Sequence, residues 1–184
     1  VTTIIGVDGA LAASGLAVWR DGEVSVRTIY TASTWTPEAR WAHIGEQLWP
    51  IIAKEPNDTL VALEGVFAGK VAPITISLAM LAGALRLGLH YRGVPFVVID
   101  NVAVKMYATA AGRATKREMI AAAVDRLKLR FMPDEHQADA LWLVAMTTDH
   151  YGKPMCDMTQ AGVKAMERQE WPKWRALVPE VVWR

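Results

Sequence analysis

The chain has 184 residues, 52% hydrophobic and 21% charged, with a formal net charge of +1. Those values exclude a disordered chain and leave room for one domain with a proper core, while a lone cysteine, Cys156, excludes a disulfide framework or a cysteine-rich zinc site. The longest charge-free apolar run, residues 71–85, is 15 residues long and contains Pro73, short of the ~20 needed to span a bilayer; with no basic-then-apolar leader, the expectation is a soluble, cytoplasmic protein without a membrane partner.

In chain order, residues 4–7 (Ile-Ile-Gly-Val) form a short β-branched run closed by Asp8. That pattern predicts a buried strand with an acid at the sheet rim, where water or a metal must solvate it. The alternative is that Asp8 is only a turn residue. Gly9 permits a turn, residues 14–19 run back as a second strand, and Asp21-Gly22 marks a tight hairpin into a third strand over 23–30. Thr36-Pro37 reads as an N-cap followed by proline in the first helical position. The helix it opens is expected to run to about Lys54 with Trp41, Ile44, Leu48 and Ile51 or Ile52 on one face, kinked or interrupted by Pro50.

Residues 56–58 form a turn, and 59–64 are a second apolar run closed by an acid, Glu64. A helix over 73–91, a strand over 94–100, and helices near 102–110, 115–127 and 134–150 complete the pattern. The tail, residues 151–184, holds Trp171, Trp174 and Trp183 and reads as a helical extension packed on the domain formed by residues 1–150. The order βββ-α-β-α-β-α predicts an α/β fold with a five-stranded mixed sheet, three antiparallel strands followed by two parallel ones, flanked by helices. The 59–64 strand can then lie parallel beside the first, bringing Asp8 and Glu64 to one rim on strands about 4.8 Å apart.

A third contribution comes from the 134–142 segment, where His136 and Asp139 are three apart and share a helix face. Alone, a His-x-x-Asp is most often a surface pair. Several carboxylates converging at one rim repel one another unless a cation neutralises them, and oxygen-rich ligation with one imidazole suits Mg²⁺ or Mn²⁺ better than zinc. Between residues 101 and 130 seven bases face two acids. That local excess is either a polyanion surface or a solvated helix face.

Three stretches, IIGVDGALAASGLAV at 4–18, VALEGVFAGK at 61–70 and HQADALWLVA at 136–145, resemble the RuvC family of Holliday-junction resolvases, which have the RNase H-like fold. In order and spacing the resemblance covers about residues 3–148. It implies a metal-dependent endonuclease acting on branched DNA as a homodimer, with two divalent ions, Mg²⁺ or Mn²⁺, per active site and no small-molecule cofactor. Asp8, Glu64, His136 and Asp139 match the family's catalytic, metal-binding positions. Phe67 matches an aromatic used near the branch point, and Lys105 and Lys116 match basic residues near the scissile strand. Lys70, Arg113 and Arg117 are the further bases expected to contact DNA. The family usually carries Asp-Pro-Gly at its first motif, whereas this chain has Asp8-Gly9-Ala10. Departures of this kind suit phage-encoded relatives, for which the compartment is the host-cell cytoplasm. Two other readings stay open: an RNA-processing nuclease of the same fold, and a junction-binding protein that does not cleave.

Overall fold

The computed structural model describes residues 2–54, 56–66 and 72–174. Five strands form one sheet: β1 (Thr3–Asp8), β2 (Ala13–Arg20), β3 (Glu23–Tyr30), β4 (Thr59–Glu64) and β5 (Phe96–Ile99). Their spatial order is β3-β2-β1-β4-β5. The β1/β2 and β2/β3 pairs are antiparallel, and β1/β4 and β4/β5 are parallel. This is the mixed sheet expected from the order of the apolar runs, and it agrees with the RNase H-like fold that the resemblance implies. Among the described residues, six α-helices accompany it: α1 (Pro37–Ile52), α2 (Ala72–Tyr91), α3 (Asn101–Thr109), α4 (Lys116–Arg126), α5 (Glu135–His150) and α6 (Gln160–Glu167).

The strand period of two sorts the sheet into two apolar layers. Ile5, Val7, Leu16, Val61 and Leu63 face α1 and α2, meeting Ile44, Leu48, Ile52, Leu81, Leu85 and Leu89. Ile4, Ala17, Leu60 and Ala62 lie in the other layer with the buried faces of α3, α4 and α5. Asp8 follows Ile4 and Gly6 on that second face, and Glu64 follows Leu60 and Ala62. Both strand-terminal acids therefore point to the side that α5 covers.

The close approach of α5 depends on two glycines. A Cβ at Gly6 would stand 2.3 Å from the carbonyl oxygen of Ala140, and one at Gly15 would stand 1.9 Å from that of His136. No side chain fits there, so these positions let the N-terminal half of α5 rest directly on β1 and β2. Its apolar residues, Ala138 through Met146 apart from Asp139, are wholly buried.

Two sequence expectations are corrected. Pro50 neither breaks nor ends α1, which continues to Ile52, with the Ala53 amide bonded to the Trp49 carbonyl at 2.8 Å. The proline removes the amide that would bond the Glu46 carbonyl, but both residues lie on the exposed face of the helix, where water can meet that carbonyl. The last strand starts at Phe96 instead of Val94, because the Val94 amide closes the end of α2 on the Leu89 carbonyl at 3.1 Å. It also stops at Ile99, since Asp100 is the N-cap of α3.

Within α2, the window Pro73–Tyr91 is long and apolar enough, by length and composition alone, to cross a membrane; the charge-free run of the sequence ends earlier, before Arg86. Its Leu81, Leu85 and Leu89 stripe packs on the sheet, while Ile74, Ile76, Met80, Leu87 and Tyr91 are exposed.

Candidate active site

Three elements bring four side chains to one end of the sheet. Asp8 is the last residue of β1, Glu64 the last of β4, and His136 and Asp139 occupy the first turn and a half of α5. The start of α5 is fixed by a capping box at Asp134, whose carboxylate accepts from the Gln137 amide at 2.8 Å while Gln137 Oε1 accepts from the Asp134 amide at 3.2 Å. Thr28 Oγ1 donates to the same Asp134 carboxylate from β3. The helix thus starts at a fixed height above the sheet, which sets where His136 and Asp139 can reach.

His136 Nδ1 lies 2.9 Å from Asp8 Oδ2, and its Nε2 lies 3.5 Å from Glu135 Oε1. The bond to Asp8 raises the imidazole pKa above its usual value, against the opposing effect of partial burial. Asp8 itself is almost wholly buried. Glu64 accepts a hydrogen bond from Asn101 Nδ2 at the start of α3. Burial first, then the charge of Asp8 and a hydrogen bond shared with it, push the Glu64 carboxyl up to about 9, with Asp139 adding to the repulsion. Asp139 is pushed up to about 6 by burial and by Asp8, while Lys105, Lys116 and His136 pull the other way.

The donor set fits a hard divalent cation. Burial and the charge of Asp8 disfavour the ionised forms of Glu64 and Asp139, which is the electrostatic condition a bound cation relieves. The side chains are nonetheless paired among themselves: among the described residues no three of these groups converge on a single point. Asp8 is engaged by His136, and Glu64 by Asn101.

Of the expected DNA-contacting bases, Lys105 on α3 and Lys116 at the start of α4 lie near Asp139. Lys116 also forms an ion pair with Glu135. Arg113 and Arg117 lie beside that helix start, but no described contact joins them to the acids. Phe67 and Lys70 lie outside the described residues. Arg126, counted within the basic stretch, turns inward. It donates to the Tyr107 and Ala108 carbonyls at 2.8 and 2.6 Å and to the Asp157 carbonyl at 2.5 Å, and it stacks over Trp142 at 5.3 Å.

Asn101 was not singled out by sequence reasoning. The signal was present in part, because the apolar run of β5 also closes on an acid, Asp100. That acid caps α3 by accepting from the Ala103 amide at 3.3 Å, and it is the next residue that reaches the site.

Residues 4–148 match the family model described as crossover junction endodeoxyribonuclease RuvC. The chain belongs to the RuvC family. The crossover junction endodeoxyribonuclease RuvC of Gloeobacter violaceus is 34% identical over 119 residues, 65% of this chain and 68% of that protein. The protein of the same name from Halorhodospira halophila is 27% identical over 165 residues, covering 86% of this chain and 97% of that one. Among solved structures, T. thermophilus RuvC in complex with a Holliday junction substrate aligns with a TM-score of 0.66 at 19% identity, over 86% of this chain and 100% of that one. At that identity the likeness speaks for the RuvC fold. The family match ends before the extension that carries α6.

Proposed function

We propose that this protein is a structure-selective endodeoxyribonuclease that cuts branched DNA, four-way junctions foremost, by divalent-metal-assisted phosphodiester hydrolysis. The observation that carries the reading is the gathering of Asp8, Glu64 and Asp139 from β1, β4 and α5 at one end of the sheet, Asp8 buried and the other two half-buried, with Glu64 pushed up to about 9 by burial and by Asp8. A structural role has no use for such a cluster, whereas a cation site depends on one. Asp8, Glu64, Asp139 and His136 would hold the ions, Mg²⁺ or Mn²⁺ and two per site. Bound there, such ions supply an activated water and neutralise charge on the leaving 3′-oxygen.

The chain's own residues do the rest. Asp8, on the central strand and felt electrostatically by both Glu64 and Asp139, would be the ligand shared by the ions. His136 holds the Asp8 carboxylate at 2.9 Å and so fixes its orientation. Lys105 and Lys116, on the Asp139 side, meet the phosphates flanking the cut. Cutting two strands of a four-way junction needs two sites related by symmetry, so the working form is a homodimer. The exposed Ile74, Ile76, Met80 and Leu87 of α2 support that assembly, since a second copy would cover them. The test is cleavage of end-labelled four-way, forked and linear DNA, and of an RNA–DNA hybrid, with Mg²⁺ or Mn²⁺. Preferential nicking of the branched DNAs is expected. Cutting of the hybrid alone would instead favour RNA processing, and binding without cutting would favour a passive junction binder.

A further inference from the structure

Glu64 is held from outside the strand it ends. Asn101, the first residue of α3, donates through its side-chain amide to Glu64 Oε1. The backbone around Asn101 is in turn braced by the extension that follows the family match. Gln169 Oε1 accepts from the Asp100 amide at 3.3 Å, and Gln169 Nε2 donates to the Ala165 carbonyl at 3.0 Å. The Asp100 carbonyl accepts from the Val104 amide at 3.0 Å, so the residue Gln169 touches is built into the first turn of α3.

Gln169 is itself fixed. Trp171 Nε1 donates to the Met166 carbonyl at 2.9 Å, and its ring stacks on His150 at 4.2 Å. Tyr151 donates to the Pro172 carbonyl at 2.6 Å and meets Trp174 edge-on at 5.4 Å. Arg126 anchors the far end through the Asp157 carbonyl. At α6, a Cβ on Gly162 would stand 3.3 Å from the Tyr107 ring of α3, so the two helices approach closely. The extension is therefore attached both to the end of α5 and to α3.

We propose that Asn101 is a positioning residue for Glu64 and that the C-terminal extension, through Gln169, sets where Asn101 stands. The proposal rests on the reading of Glu64 as a metal ligand. A carboxylate near other carboxylates has every electrostatic reason to swing away from them, and a donor that fixes one oxygen leaves the other directed into the site. Outer partners of metal ligands typically change metal affinity by about 10- to 100-fold when removed. Asn101→Ala and Asn101→Leu should therefore each weaken Mn²⁺ binding about tenfold, and the leucine, which keeps the volume without the donor, should not rescue. Gln169→Ala acts one step further out and should weaken it about threefold. Because both act on one path, Asn101→Ala with Gln169→Ala should bind Mn²⁺ within about twofold of Asn101→Ala alone.

The experiment is calorimetric titration of Mn²⁺ into DNA-free protein whose thermal melting has been checked, paired with cleavage of a four-way junction across Mn²⁺ concentrations. Expected are weaker binding and a matching rise in the Mn²⁺ needed for half-maximal cutting, with the rate recovering at saturating Mn²⁺. Unchanged Mn²⁺ affinity in Asn101→Ala, a leucine that rescues, or fully additive effects in the double variant would each overturn the proposal. So would a wild-type protein that takes up no Mn²⁺. If wild type binds Mn²⁺ but cuts no branched DNA while the variants still weaken binding, the nuclease reading falls and this one stands.

Discussion

Asp139→Asn should make the metal-free protein more stable, even though it removes a proposed ligand. The Asp139 carboxyl is raised from 3.8 to about 6, chiefly by burial and then by Asp8. A carboxyl whose folded pKa exceeds its unfolded one binds its proton more tightly when folded. Its contribution to stability is therefore full below the unfolded value and is lost as pH climbs through the folded one. A shift of that size corresponds to roughly 3 kcal/mol at most. Asp139 is partly exposed and shares its repulsion with Asp8 and Glu64, so about 1–2 kcal/mol is the realistic gain above pH 7. For a chain of this length that is a rise in Tm of about 3–6 °C. Asparagine cannot ionise, so the variant escapes the loss. Thermal melts in EDTA at pH 8 should show the gap, and melts at pH 5, where the native Asp139 is largely protonated, should show it shrink. Adding Mg²⁺ at pH 8 should stabilise the wild type more than the variant, because ligand binding to the native state raises Tm by mass action. A variant that melts at or below wild type in EDTA at pH 8, or a gap that ignores pH, would refute the account of the acid cluster.

His136 must be unprotonated to act as a ligand, and its pKa is raised by the bond to Asp8. The acid limb of the rate–pH profile should therefore lie above the usual histidine value; His136→Asp should keep activity and move that limb to lower pH, whereas an unmoved limb ends the ligand role. Lys105→Ala with Lys116→Ala should weaken junction binding and flatten the log–log salt slope by about 0.9 for each phosphate left without its lysine; a slope equal to wild type returns both lysines to the solvated surface. Arg126→Ala should lower Tm by about 4–8 °C, from about 2 kcal/mol of charged hydrogen bonds removed, yet leave that salt slope alone, because its guanidinium faces the protein's own carbonyls. A changed slope would place Arg126 on the DNA.

The sheet was legible because its strands are short β-branched runs closed by acids or turns, and three of those endings, Asp8, Glu64 and Asp100, lie at one rim. Sequence could pair Asp8 with Glu64 through the crossover topology alone, and the spacing of His136 and Asp139 placed both on one face of α5. Other features depend on packing that leaves no periodic mark. Gly6 and Gly15 read as ordinary strand glycines until the backbone of α5 is seen against them. Arg126 lies in a basic stretch, and only the carbonyls of Tyr107, Ala108 and Asp157 that it meets show that it turns inward. The same holds for Asn101 and Gln169, since nothing in a sequence announces that a side-chain amide will meet a backbone amide 69 residues away. Pro50 misleads because it lies on the exposed face of α1, where the Glu46 carbonyl it leaves unbonded can turn to water and the rest of the helix is undisturbed.

The central claim is that the acids of β1, β4 and α5 make a metal-dependent cutting site. Its most direct measurement is cleavage of a labelled four-way junction by the wild type, Asp8→Asn and Glu64→Gln, with junction binding measured in parallel without cleavage. The wild type should nick the junction only with Mg²⁺ or Mn²⁺ present, and not in EDTA. Both variants should lose cutting while binding the junction within several-fold of wild type, because neither removes a phosphate-contacting base. Wild-type cutting that persists in EDTA, or either variant cutting at the wild-type rate, would contradict it.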